Sequence, residues 1–265
     1  KRLRNVEPAL LVVGLGLQLA SWMAYSLLTR AALGEAARGV SRFRFFRIQM
    51  STKALSHIVP GGNAAASALG YRLLTLSGIS GPDAGFALAT AGLGSAVVLN
   101  FIFWIALLVS IPLRGVNPGY AAGALAGVVI MLLAAGLVVG LMHGQGTAER
   151  TLRWICRKVR LDGDAAAAVL RQIGTRLEEL IADRALLKRV VIWAALNWLL
   201  DAASLWVFLR AFNETLDVDA LLVAFGLANV IAVIPITPGG IGIVDAYYIP
   251  TLVAFGITRR GATLG

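Results

Sequence analysis

Pro60-Gly61-Gly62 and Pro238-Gly239-Gly240 stand 178 residues apart. At the same distance downstream of each lies Gly-Ile and a hydroxyl residue, Gly78-Ile79-Ser80 and Gly256-Ile257-Thr258. Proline and glycine break helices, yet both triplets interrupt apolar stretches. A helix that restarts after such a break exposes amides without internal partners, at the positive end of its dipole. At mid-membrane depth those amides can hold an anion. The candidates are Gly61, Gly62 and Asn63 in the first copy, and Gly239, Gly240 and Ile241 in the second. One copy alone would read as an interhelical turn in water; two copies with the same sequel favour a site.

Ionisable residues flank both triplets. Lys53 and His57 precede the first, one helical turn apart and therefore on one face. Tyr71 and Arg72 follow it. A guanidinium matches phosphate in bidentate geometry, so Arg72 is a candidate lipid-phosphate contact. Lys53 can instead snorkel to the headgroups, and His57 can be core packing. Asp201 and Asn197 share a face of a later apolar segment, and Asp245 follows the second triplet. A carboxylate at membrane depth must pair or protonate. Asp201 and Asp245 are candidates for pairing with Arg72, for proton coupling or for a cationic headgroup. The alternative is a polar clamp between helices, which is also the reading for Asn100 and Asn229.

The elements that must position these residues are membrane helices. The chain of 265 residues is 58% hydrophobic and 14% charged, with a mean hydropathy of +0.78; a soluble domain carries about a quarter charged residues. Spans are expected at about 8–28, 84–112, 119–142 and 190–211, with helical hairpins at 42–78 and 220–256. The apolar part of each hairpin arm is short for a crossing, so both read as re-entrant. Residues 143–189 are mixed in charge, with apolar residues at helical spacing (Leu152, Ile155, Val159; Leu170, Ile173, Leu177), and read as amphipathic helices on the membrane or bundle surface. Gly119, Gly123 and Gly127 form a close-packing face.

The offset also pairs the first span with 190–211. The fold class is therefore an all-α integral membrane protein, a polytopic bundle of two repeats, 1–142 and 190–265, joined by the linker 143–189. Three full spans separate the hairpins, which makes the repeats inverted. Seventeen of the 24 Lys and Arg lie on the side holding residues 30–53, Arg72 and the linker. That side is expected to be cytoplasmic, in a plasma membrane. The net charge of +10 then meets anionic lipid rather than nucleic acid. The chain opens on Lys1 rather than Met and closes inside an apolar segment, so both ends read as cut from a longer protein.

The single cysteine, Cys156, excludes an internal disulfide and a cysteine-cluster metal site, and with only His57 and His143 a histidine metal site is not expected. No cofactor is expected. Serine-elbow, phosphate-loop and zinc-protease signatures are missing, so no catalytic residue is assigned.

At these motifs the chain resembles the transmembrane, flippase-like domain of lysylphosphatidylglycerol synthases and its stand-alone relatives. The resemblance rests on Pro60-Gly61-Gly62 with Tyr71-Arg72 and Gly78-Ile79-Ser80, and on Ile236-Thr237-Pro238-Gly239-Gly240-Ile241-Gly242 with Asp245 at the family's acidic position. Ala64 departs from the glycine expected after the first triplet, and Ser67 stands opposite Asp245. These residues include no soluble aminoacyl-transfer domain, so the resemblance implies lipid translocation and leaves the headgroup open. Expected partners are membrane lipids, with a second copy of the chain or a lipid-synthesising enzyme as further candidates. The rival expectations are a transporter of a small anion or proton-coupled solute, and a non-transporting scaffold for a synthase or glycosyltransferase.

Overall fold

A computed structural model describes residues 7–59, 62–114 and 183–232, with scattered helical positions between 125 and 182. The described residues form helices and no strand. They are α1 (Pro8–Leu33), a short 3-10 turn (Gly34–Ala37), α2 (Arg42–Ile58), α3 (Gly62–Thr75), α4 (Gly81–Arg114), α5 (Arg184–Ala211) and α6 (Val218–Ala232).

Local sequence sets the ends of these helices. Pro8 opens α1, where its missing N–H costs nothing. Gly34, at φ +52°, closes it in a conformation that β-carbons disfavour. The Ser41 hydroxyl accepts from the Arg44 amide to start α2. Val59 turns extended, as a residue before proline must. Gly78, at φ +88°, lets the Ile79 amide return to the Leu74 carbonyl and seats both apolar side chains in the core. Ser80 and Asp83 then cap α4: the Asp83 amide donates to the serine hydroxyl, which donates to the aspartate. Asp183 accepts from the amides of Ala185 and Leu186 at the start of α5. That cap begins α5 six residues ahead of the expected boundary at 190, and α1 likewise continues past 28 to Leu33.

Three helices, α1, α4 and α5, are long and apolar enough to cross a membrane. At 1.5 Å per residue they are about 39, 51 and 42 Å long. Their outward faces carry Val12, Leu15, Leu19, Phe101, Ile105, Leu108 and Leu199 in the open, the pattern of helices solvated by lipid. The arms α2 and α3 are only about 25 and 21 Å long, short of the ~30 Å of a hydrocarbon core. The core between the helices is made largely of small residues, including Ala32, Ala84, Ala87, Ala91 and Ala194, with Leu28, Phe45, Leu74 and Phe86 filling the gaps.

The pairs along α1 and α5 fix their mutual direction. The Glu7 amide donates to the Ala211 carbonyl, the Ser204 hydroxyl to the Gly14 carbonyl, Gln18 to Asp201, and Ser21 to Asn197. As one number rises the other falls by the same amount, so the two helices are antiparallel and aligned end to end. The offset of 178 carries Leu33, the last residue of α1, onto Ala211, the last of α5. It carries Arg42, the first of α2, to within two residues of Val218, the first of α6. The span expected at 119–142, on which the count of crossings rests, lies largely outside the described residues, and the second hairpin beyond Ala232 lies wholly outside them.

Candidate functional site

The α1–α5 seam is polar at its centre. The Gln18 amide donates to Asp201 Oδ1 at 2.6 Å, and the Ser21 hydroxyl donates to the Asn197 carbonyl at 3.0 Å and to its Oδ1 at 3.2 Å. Gln18 is ten residues from the start of α1 and Asp201 ten from the end of α5, about 15 Å from each of those ends. Both therefore stand well inside helices of crossing length, more than two turns from either end. An amide and a carboxylate buried between such helices must find partners within the protein.

The hairpin brings charge to this seam. Ser26 and Thr29 of α1 line one small space with Phe45, Ile48, Gln49 and Thr52 of α2. Helix α2 thus runs back along α1, toward the level of Gln18. Lys53 lies close enough for its charge to act on Asp201 and on His57. The His57 ring stands at the surface of α2, yet the protein around it removes part of its water. That desolvation, and then the Lys53 charge, lower its pKa below the ordinary 6.5. The imidazole is neutral at pH 7 and can donate or accept one hydrogen bond.

The two arms of the hairpin meet tightly. A β-carbon on Gly62 would collide with the Ser56 carbonyl, and one on Gly70 would touch Thr52 and Leu88. The first glycine is therefore required by backbone contact across the hairpin.

Lys53 and His57 are neighbours on α2, and Asp201 is joined to Gln18 across the seam. Asn197 sits beside that pair, engaged by Ser21. Tyr71 and Arg72 are apart. They lie on the last turns of α3, with the Tyr71 hydroxyl against Gly81 and Arg72 exposed. Arg72 is ten residues beyond Gly62, about 15 Å along the helix, and the hydrogen-bond partner of Asp201 is Gln18. Gly61, the side chain of Asn63, and Gly239, Gly240, Ile241 and Asp245 lie outside the described residues.

Asn100 and Asn229 each have an amide contact within their own helix. Each donates to the carbonyl four residues back in its own helix, Ala96 and Phe225, because the preceding turn is the nearest acceptor. Gly127 lies against α4, where a β-carbon would stand 2.9 Å from Asn100 Oδ1, so this glycine serves packing within the chain. Gln18 and Ser21 were not singled out by the sequence. The available signal was two polar residues three apart in an apolar span, facing a later aspartate and asparagine four apart.

The family model for the lysylphosphatidylglycerol synthase TM region matches residues 1–265, the whole chain. The chain belongs to that family. No curated protein and no solved structure matches it. Membership agrees with three helices of crossing length and makes the chain a membrane protein of a family tied to lipid metabolism or translocation.

Proposed function

We propose that this protein is a flippase-like lipid translocase. It moves an anionic or aminoacylated phospholipid, or a glycolipid or polyprenyl-phosphate lipid, between leaflets. The observation that carries this reading is the Gln18–Asp201 hydrogen bond inside the seam of two antiparallel crossing helices, beside a hairpin that carries Lys53 and whose arms are too short to cross. A charge in that seam is costly, and a family with lipid chemistry gives it a use.

In this reading α2 and α3 form a re-entrant hairpin, and the second triplet forms its inverted counterpart. The antiparallel seam of α1 and α5, and the agreement of their ends under the 178-residue offset, support inversion. The headgroup enters from the cytoplasmic side, which holds residues 30–53 and 143–189, past Arg72. Its phosphate passes to the exposed amides at the tips and to Lys53, while acyl chains stay in lipid. Asp201, and Asp245 in the other hairpin, balance charge or bind an amino group. The protein acts without catalytic chemistry or cofactor, in the plasma membrane.

A second reading, a proton-coupled solute transporter, draws on the same buried carboxylate beside a neutral histidine. Vesicles carrying a fluorescent phosphatidylglycerol and the purified chain separate the two. Lys53→Gln and Asp201→Asn are expected to slow loss of dithionite-accessible label; unchanged rates in both variants remove the proposed site. Proton uptake without lipid movement selects the second reading.

A further inference from the structure

One sizeable cavity among the described residues is away from the α1–α5 polar seam. It lies where the C-terminal end of α1, the 3-10 turn and the first turns of α2, α4 and α5 converge, with a volume of about 620 Å³. That is the size of a small-ligand pocket. Three arginines line it, Arg30 from α1, Arg42 from α2 and Arg189 from α5.

The acidic groups lining the same cavity are already engaged. Glu35 is paired with Arg38, Asp83 with the Ser80 hydroxyl, and Asp183 with two amides of α5. The arginines are less satisfied. Arg30 Nε is buried with no hydrogen-bond partner, and among the described residues Arg189 Nε donates to the Ala185 carbonyl. A planar fork with open donors is built for two oxygens of a phosphate, and three such forks from three helices surround one space. The opposite wall is apolar, with Leu27, Phe86, Leu186 and Trp193.

We propose that this cavity is a binding site for a phosphate-bearing ligand, held by Arg30, Arg42 and Arg189 and separate from the Gln18–Asp201 pair. The shared chemistry is a phosphate group; its source is a lipid headgroup seated at the membrane boundary or a free phosphate compound from the aqueous phase. The site does not depend on translocation, since its residues lie at the end of the bundle rather than at mid-depth.

Trp193 lines the cavity and reports on it. The purified chain in detergent micelles is titrated with sodium phosphate and, separately, with monomeric dihexanoylphosphatidylglycerol, using Trp193→Phe as the fluorescence blank. A saturable Trp193 response that weakens with added sodium chloride is expected with at least one probe. Arg42→Gln and Arg189→Gln, both at exposed positions, are each expected to weaken it roughly tenfold, the loss of one charge-assisted contact. Arg30→Gln should do the same, while Arg47→Gln, which removes equal charge at an exposed position outside the cavity lining, should leave it unchanged. Saturation by the lipid alone assigns the source to a headgroup, and saturation by phosphate alone assigns it to a soluble compound. No saturable response with either probe overturns the proposal. So does a response that Arg47→Gln weakens as much as Arg42→Gln and Arg189→Gln do.

Discussion

Asp201 does two things at once, and substitution can separate them. Its Oδ1 accepts from Gln18, and its charge answers Lys53. Asn keeps an acceptor of the same shape but no charge. Asp201→Asn is therefore expected to leave thermal stability nearly unchanged while slowing lipid movement. Asp201→Ala leaves the Gln18 amide unpaired in an apolar seam and should lower stability by about 1 kcal/mol, the scale of a polar contact between membrane helices. Thermal unfolding of the two variants in one detergent tests the separation. His57 offers a second measurement. Its folded pKa lies below 6.5, so the unfolded chain binds the proton first as pH falls. The stability it contributes is whole above pH 6.5 and declines as pH drops through the folded value. Histidine NMR should show His57 titrating below 6.5, and Lys53→Ala should move that titration upward. An unmoved titration would separate the two residues.

At the scale of the elements, the hairpin depends on one atom's width. The Ser56 carbonyl occupies the space a side chain at residue 62 would need, and a backbone carbonyl in a helix cannot turn aside as a side-chain terminus can. Gly62→Ala should cost about 1–3 kcal/mol by overpacking, read as a lower melting temperature, whereas Gly85→Ala, with open space around it, should be neutral. The hairpin was legible in the sequence because proline and glycine act on their own neighbours. So were the three long spans, since crossing length and apolar content are local properties. The ends of α1 and α5 were less legible, because Leu33 and Arg184 extend helices into segments whose composition alone reads as polar surface. Least legible was the partner of Asp201. Asp201 and Asn197 stand out as polar residues in an apolar span, but nothing local says that Gln18 and Ser21, some 180 residues earlier, face them. That register is decided by packing, through Gly14 beneath Phe208 and the small residues of the shared core.

For the whole molecule, the antiparallel seam sets a topology that can be tested from outside. The C-terminal ends of α1 and α5 point in opposite directions along the seam. Single cysteines at the exposed positions Arg38, just past α1, and Thr215, just past α5, in a Cys156→Ser background, should therefore react with an impermeant maleimide from opposite sides of a sealed vesicle. Labelling of both from one side would remove the inverted arrangement, and with it the reading of the two triplets as opposed tips.

The seam also has a schedule. Gln18 and Asp201 are separated by 183 residues, and a ribosome adding roughly 5–20 residues each second needs about 10–35 s to make the second after the first. During that interval the first helix is in place with an amide and a hydroxyl turned toward a partner not yet synthesised. Any chaperone, insertase or neighbouring helix that shelters Gln18 and Ser21 in the meantime must let go when α5 arrives. The Gln18–Asp201 bond is thus also a late-closing fastener of the protein's birth, and variants that weaken it should be lost during insertion before they are lost to unfolding.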